Sequence, residues 1–179
     1  MKIKICKFLL ATVGKILPLR RRPGGKLANK IRCIFTKGII KSFGDHCIVE
    51  RGAEVLEECI FGDYTSIGPD CLIGKGTVFK GHSFLGPKVH IYSRNHHYDP
   101  ITHMFRGMDA TNPVHIGENV WIGYGTVILP GVTIGDSVII GASSVVTKDI
   151  PSGVMAAGNP CEAKKIIDVE IYERDSLCK

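Results

Sequence analysis

The amino-acid sequence predicts an all-β solenoid, a triangular parallel β-helix of hexapeptide repeats with a helical segment before it and a short helix after it. The main evidence is two runs of apolar residues that recur at every sixth position. A period of six would carry an apolar residue around the surface of a helix, so the pattern favours short strands. The two runs are Phe43, Val49, Val55, Phe61, Ile67, Ile73, Phe79, Leu85 and Ile91, followed by Ile116, Ile122, Ile128, Ile134, Ile140 and Val146.

The residues two positions before these markers give an independent check, because residues two apart in a strand face the same side. All of them are small or β-branched, so each hexapeptide points one large and one small residue inward and then turns. Stacked coils of three such faces bury a continuous core. These positions are Cys47, Ala53, Cys59, Thr65, Cys71, Thr77, Ser83 and Val89, then Val114, Val120, Thr126, Val132, Val138 and Ser144.

The repeat also divides the chain. Hexapeptides span 43–96 and 116–151, about five coils, and the phase slips by one residue across a polar, irregular insertion at 97–115. A loop leaving a rigid scaffold is a common place for chemistry. We expect the chain to leave the repeat after Pro151, to turn at residues 158–160, and to form a short helix over 163–173. The predicted units are therefore 1–42, 43–160 and 161–179.

Charge separates the first unit from the rest. Residues 1–41 contain twelve Lys and Arg residues and no acid, whereas the remaining 138 residues contain 11 basic and 17 acidic residues. A basic surface for nucleic acid is therefore not expected on the folded body. Seven cysteines form no CxxC pair and no zinc-finger spacing, which indicates neither a disulfide framework nor a zinc site and suits a reducing cytoplasm.

The first residues predict an amphipathic helix that is too short to span a bilayer and lacks a signal-peptide cleavage site. Such a helix either docks on the body, the simpler interpretation, or lies on an anionic membrane surface. The excess of positive charge leads to the hypothesis of a cytoplasmic protein with peripheral contact at the inner face of the cytoplasmic membrane. On a helical wheel one face carries Ile5, Leu9, Leu10, Val13, Ile16 and Leu17, and the other carries Lys4, Lys7 and Lys15.

Two stretches resemble a known family. They are HIGENVWIGYGTVILPGVTIGDSVIIGASSVVTKDIPSGVMAAGNP at 115–160 and GPKVHIYSRNHHYDP at 86–100. They are similar to the hexapeptide-repeat acyltransferases, in the branch of galactoside, maltose, nodulation and polysaccharide O-acetyltransferases. The resemblance implies a left-handed β-helix, a homotrimer with active sites between subunits, and acetyl-CoA as the acetyl donor without a metal.

The resemblance also implies a catalytic histidine. In the family this residue lies nine positions after the proline of a G/A-P-x-V motif, and counting from Pro87 reaches His96. Counting back from Trp121 favours His97 instead, but that count runs through the variable insertion. An imidazole can take the proton of a hydroxyl that attacks a thioester. A backbone N–H in the segment Gly123-Tyr124 would stabilise the oxyanion.

Cofactor contacts carry over from the family less evenly. The family places a basic residue near Lys165 and a second one where this chain has Glu162, a position for which Lys164 could substitute. Trp121 is expected beside the pantetheine channel. The positions that resemble acetyl-CoA contacts are Tyr124, Ala142, Thr147, Lys148 and Lys165.

Other functions remain open at this point. The zinc-dependent γ-class carbonic anhydrases share the fold, and His90, His96 and His115 are the histidines such a site would need. A β-helix without activity, serving as a scaffold, is a second class. Among acetyl acceptors, the sequence favours a sugar hydroxyl of a polysaccharide or its precursor over serine or an amino sugar. Near Ser66, relatives that act on free sugars carry an asparagine facing the acceptor.

Overall fold

The computed structural model describes residues 2–166, in which three helices precede nineteen short strands. The helices are α1 (Lys2–Ala11), α2 (Val13–Ile16) and α3 (Gly25–Lys37). The strands are β1 (Ser42–Phe43), β2 (Ile48–Val49), β3 (Glu54–Val55), β4 (Ile60–Phe61), β5 (Ser66–Ile67), β6 (Leu72–Ile73), β7 (Val78–Gly81), β8 (Phe84–Leu85), β9 (His90–Ile91), β10 (His96–Asp99), β11 (Met104–Met108), β12 (His115–Glu118), β13 (Trp121–Ile122), β14 (Val127–Ile128), β15 (Thr133–Ile134), β16 (Ile139–Ile140), β17 (Val145–Val146), β18 (Val154–Ala157) and β19 (Glu162–Ile166).

The strands form the three faces of a left-handed parallel β-helix, which confirms the predicted fold class. Face A contains β1, β4, β7, β12 and β15, and face C contains β3, β6, β9, β14 and β17. Face B contains β2, β5, β8, β13, β16 and β18 in parallel order. The three corners of the prism are named here A–B, B–C and C–A after the faces that they join.

The β-helix extends further along the chain than the sequence predicted. Ile150 bridges Ile134 on face A, and β18 pairs with β16 on face B, so the repeat continues past Pro151. Residues 162–166 then fold back as β19, antiparallel to β18. The predicted helix over 163–173 is therefore wrong for 163–166, because the strand edge of β18 offers backbone partners to the returning chain. The rest of that predicted helix lies outside the described residues.

The core follows the predicted pattern. Each marker residue from Val49 to Val146 is buried, and so are the small residues two positions earlier. Thr65 and Thr77 satisfy their buried hydroxyls by donating to the carbonyls of Gly62 and Gly74, each over 2.7 Å. Burial raises the pKa of the Cys59 and Cys71 thiols to about 12, which leaves them protonated and unreactive at neutral pH. The interpretation of these cysteines as interior fillers is confirmed.

Helices α1 to α3 form a helical cap (residues 2–37) that closes the first coil. Helix α3 takes the place of a preceding strand against β2: the Val49 amide donates to Asn29 Oδ1 over 3.0 Å, and Arg32 Nε donates to the Val49 carbonyl over 2.7 Å. Leu10 of α1 is only 5% exposed. The docked interpretation of the segment is thus confirmed. None of the helices within residues 2–166 is long and apolar enough to cross a lipid bilayer.

The predicted apolar face of the first helix is wrong in part. Ile5 and Ile16 are 51% and 85% exposed, whereas Lys7, expected on the polar face, pairs with Glu57 of the body. The helical pattern breaks at Thr12, whose hydroxyl donates to the Phe8 carbonyl over 2.7 Å. Packing of α1 against α3 and β3 determines which side of α1 faces the body. These contacts with distant parts of the chain cannot be inferred from the apolar pattern of α1 alone.

Candidate active site

The insertion between the two repeat runs is a β-hairpin and not the irregular loop that the sequence predicted. Strands β10 and β11 pair antiparallel, with a bulge between His96 and Tyr98. Asp99 closes the turn: its Oδ1 accepts from the Ile101 and Thr102 amides over 2.9 and 3.2 Å. Hydrogen bonds from the Thr102 side chain and these two amides hold the pKa of Asp99 below its usual value. Asp99 and Pro100 are residue types that favour turns, although no turn was predicted at these positions from the sequence.

The root of the hairpin is fastened to the β-helix. The Asn112 amide donates to the carbonyl of buried Ser93 over 2.8 Å, and the Asp109 amide donates to the Asn95 carbonyl over 2.9 Å. His96 directly follows Asn95, so its backbone position is set by these bonds. The candidate base therefore stands on a rigid part of an otherwise protruding hairpin.

The two adjacent histidines differ in their partners. The His96 ring is exposed and lies edge-on to Phe105, with ring centroids 6.2 Å apart, and within residues 2–166 its nitrogens make no hydrogen bond. His97 Nδ1 instead lies 3.0 Å from Asp109 Oδ1. The His96 imidazole is thus free to accept a proton from a ligand, whereas His97 has the geometry of an imidazole oriented by a carboxylate.

An apolar ridge runs along the outside of face B. Trp121 pairs with Phe84 on one side and with Ile139 on the other, and Met155 continues the row. Trp121 and Phe84 are each about half exposed. Ser66 lies beside Phe84 in the same row, at the position where the resemblance suggests a lost asparagine. Exposed apolar rows of this kind are typical of binding surfaces.

The predicted oxyanion segment lies at the B–C corner, directly after β13. The Gly123 amide already donates to the Ile140 carbonyl over 2.8 Å, so it is not available to a ligand. A Cβ at Gly123 would stand 2.5 Å from the Ala142 nitrogen, which explains why glycine is required. Within the described chain the Tyr124 amide has no acceptor. Tyr124 is therefore the better candidate for the oxyanion donor.

The predicted cofactor residues are all exposed, but they lie at different corners. Tyr124 and Ala142 are neighbours at the B–C corner, joined by a 2.7 Å bond from the Ser143 amide to the Tyr124 carbonyl. Thr147 and Lys148 follow β17 at the C–A corner, the corner from which the hairpin with His96 also emerges.

The tail residues lie elsewhere again. Lys165 is in β19, opposite Met155 at the end of face B. Lys164 Nζ lies 3.4 Å from Glu162 Oε2. Lys164 was expected to substitute for the basic residue that the family has at position 162, but it pairs with the glutamate that this chain has there. Within one chain, face C separates His96 from Trp121 and Tyr124. A single subunit thus does not bring the predicted site together.

The histidines considered for zinc do not converge within the chain. His90 points outward on face C and His115 on face A, while His96 is in the hairpin. No group of three or more His, Cys, Asp or Glu residues suited to a metal occurs among residues 2–166. The buried cysteines belong to the core.

Three residues near the candidate site were not identified from the sequence. Asp109 contacts His97, Phe105 contacts His96, and Lys88 Nζ lies 5.9 Å from the ring centroid of Tyr124. Recognising β10 and β11 as a hairpin would have placed Asp109 and Phe105 close to the histidines, because antiparallel strands bring such residues together. Lys88 occupies the B–C corner one coil before Tyr124. The insertion separates these two residues in the sequence, so their proximity can be predicted only if the number of inserted residues is known.

Comparison with known proteins agrees with this geometry. The family model described as bacterial transferase hexapeptide (six repeats) matches residues 113–148. A galactoside O-acetyltransferase of Lactococcus lactis is 44% identical over 98 residues, 54% of this chain and 47% of the relative. The chain spans about half the length of the curated relatives it matches.

Solved structures extend the likeness to nearly the whole chain. The maltose O-acetyltransferase from Clostridium difficile 630 has a TM-score of 0.65 and 31% identity, covering 93% of this chain and 87% of its own. A galactoside acetyltransferase in complex with coenzyme A has a TM-score of 0.61 and 28% identity, with 97% and 80% covered. On the evidence of the six-residue coil and these likenesses, the chain belongs to the hexapeptide-repeat acetyltransferases.

Proposed function

We propose that this protein transfers an acetyl group from acetyl-CoA to a sugar hydroxyl, with His96 as the general base. The observation that carries the proposal is the exposed His96 ring, free of hydrogen bonds within the described chain and held at the fixed root of the hairpin. The relatives named as galactoside and maltose O-acetyltransferases support a sugar hydroxyl as the acceptor.

The proposed reaction is a direct transfer. The His96 imidazole takes the hydroxyl proton as the oxygen attacks the thioester carbonyl, and the Tyr124 amide donates to the oxyanion. Collapse of the tetrahedral intermediate breaks the carbon–sulfur bond, and the protonated imidazole returns the proton to the leaving thiolate of CoA. No acyl-enzyme is needed, in keeping with the raised pKa of the buried thiols of Cys59 and Cys71.

The separation of the site residues supports a homotrimer. His96 emerges at the C–A corner and Tyr124 lies at the B–C corner, so the C–A corner of one subunit must meet the B–C corner of the next. Such a head-to-tail contact closes into a ring under threefold symmetry. The hairpin also carries exposed Ile101, Met104 and Phe105, an apolar surface suited to a neighbour.

A mixing experiment tests this arrangement. We expect sedimentation at the mass of three chains, and we expect that His96→Ala and Trp121→Asp chains, each inactive alone, regain activity when they are refolded or co-expressed together. A mixed trimer then contains one site with both native residues, and random mixing should restore about a quarter of wild-type activity. A stable monomer, or no recovery in demonstrably mixed trimers, would contradict the shared site.

The cofactor assignment has its own test. Lys148→Gln should weaken CoA binding by about tenfold or more, as expected when a charged hydrogen bond to a phosphate is lost. Lys80→Gln is the matched control, because Lys80 is also exposed but pairs with Asp136 at the A–B corner. Titration calorimetry with CoA measures both. Equal affinities for the two variants would place the phosphates away from Lys148.

The acceptor is proposed to be a sugar of a polysaccharide or of its precursor. Ser66 on face B leaves a smaller polar group beside Phe84 than the asparagine expected in enzymes of free sugars. Release of CoA thiol can be followed with a set of acceptors: a polysaccharide, a lipid-linked glycan, a free galactoside, maltose, serine and an amino sugar. Turnover of the free galactoside, with none of the lipid-linked glycan, would reject the polysaccharide acceptor. Turnover of serine or the amino sugar alone would replace the proposal with O-acetylation of serine or N-acetylation.

A further inference from the structure

The side of α1 that faces away from the body is apolar and basic. Leu10 points toward the first coil, and at 100° per residue the opposite side of the helix carries Lys4, Ile5 and Phe8. Phe8 is 66% exposed, an unusual position for a large aromatic side chain on a docked helix. The first helix thus buries one side against the body and exposes a second, unpartnered apolar side.

Helix α3 has the same character. Arg32 points into the first coil, where it is fully buried, and the opposite side of α3 carries Leu27, Lys30, Ile34 and Lys37. Leu27 and Ile34 are 65% and 64% exposed. Since α1 and α3 pack against each other and both cover the first coil, their outward sides lie at the same end of the molecule. We call these seven residues the outer cap face.

Within the part of the chain that the structure describes, most of the positive charge of residues 1–41 is not paired with an acid of the body, and Lys37 Nζ lies 5.3 Å from the ring centroid of Phe43. Of the twelve basic side chains in this segment, ten are exposed. Among residues 2–166, the ion pairs that include this segment are those of Lys7 with Glu57 and Arg32 with Glu50. The outer cap face therefore stands in a strongly positive field, next to the exposed run Arg20–Arg22.

From these features we infer that the outer cap face binds the surface of a bilayer that contains anionic lipid. The apolar side chains enter the headgroup region and the lysines contact lipid phosphates, as in interfacial helices. A bilayer is favoured over an acidic protein because the exposed apolar side chains and the lysines lie on the same outward sides of α1 and α3, the combination found in helices that lie in a membrane interface. The inference does not depend on the proposed acetyl transfer.

Vesicle co-sedimentation of the full chain tests this binding. The probes are vesicles of phosphatidylcholine alone and of phosphatidylcholine with about 30% phosphatidylglycerol. We expect binding to the anionic vesicles only, and release as the salt is raised from about 0.1 M to about 1 M. The pair Lys30→Gln with Lys37→Gln should weaken binding about thirtyfold, and the pair Phe8→Ala with Ile34→Ala about tenfold or more.

The matched control is Lys75→Gln with Lys80→Gln, which removes the same charge from the body. It should leave vesicle binding unchanged, and thermal unfolding of all variants shows that the fold is retained. Equal binding to neutral and anionic vesicles would overturn the inference. So would equal losses in the cap and control pairs, or a preference for a soluble acidic polymer that Phe8→Ala with Ile34→Ala does not alter.

Discussion

Replacing His96 with alanine should lower the rate of acetyl transfer by about 10²–10⁴-fold, the range for loss of a general base. Binding of acetyl-CoA should persist, because the predicted cofactor contacts lie at the corners of the prism and not in the hairpin. Hairpin geometry should persist as well, since the His96 ring makes no hydrogen bond within residues 2–166 and its backbone is held by neighbours. Steady-state rates and calorimetry on the same preparation separate these effects.

His97 provides the internal comparison. Its pairing with Asp109 is expected to hold the root of the hairpin, so His97→Ala and Asp109→Asn should each cost less than about tenfold in rate. The reverse order of effects would identify His97 as the base and Asp109 as the carboxylate that orients it. If His97→Ala has the larger effect, the count from Pro87 is wrong by one residue. If neither variant lowers the rate strongly, the general-base mechanism itself is wrong.

Replacing Arg32 with methionine should destabilise the protein by about 3 kcal/mol or more, the usual result of removing one partner of a buried ion pair. The guanidinium is fully buried and bonds the Val49 carbonyl, the Pro18 carbonyl at 3.1 Å and Glu50 at 3.4 Å. Burial lowers the pKa of Arg32 and Glu50 opposes that shift. Methionine fills the space but leaves these three acceptors without their donor.

Lys30→Met is the matched control for Arg32→Met, because it places the same side chain on the exposed side of the same helix. Its thermal midpoint should stay close to that of the native protein. Trypsin should cleave the exposed run Arg20–Arg22 faster in Arg32→Met, since loosening of the cap frees that segment. Identical midpoints and cleavage rates in the two variants would show that Arg32 does not hold the cap.

The sequence predicted the β-helix well because its core depends on a local rule. A marker such as Ile67 or Ile122 is buried by the coil directly above and below it, so the six-residue period contains most of the information. The rule fails where contacts are not periodic. Lys7 was assigned to the polar side of its helix because nothing in the sequence indicates that Glu57 lies within reach. The strand over 162–166 depends likewise on the free edge of β18.

Candidate site residues could be chosen from the sequence, whereas their distribution over two corners of the prism could not. A count within rigid repeat places His96, and the structure confirms that it stands at the root of the insertion. The Tyr124 amide could be preferred over that of Gly123 only once the hydrogen bond from Gly123 to Ile140 was known. The distribution of these residues over two corners follows from which face each strand joins, and that face changes with every hexapeptide.

The way Asn29 and Arg32 bond to Val49 also determines where the β-helix begins. A coil that ends in bare parallel strands is a template on which another chain can add the next coil. Helix α3 uses the backbone groups of β2 that such a chain would need, and at the other end the antiparallel β19 interrupts the parallel register of face B. A chain shortened to begin near residue 42 should therefore be prone to end-to-end polymerisation into fibres, with the helical cap acting as the terminator that limits the native molecule to a rod of fixed length.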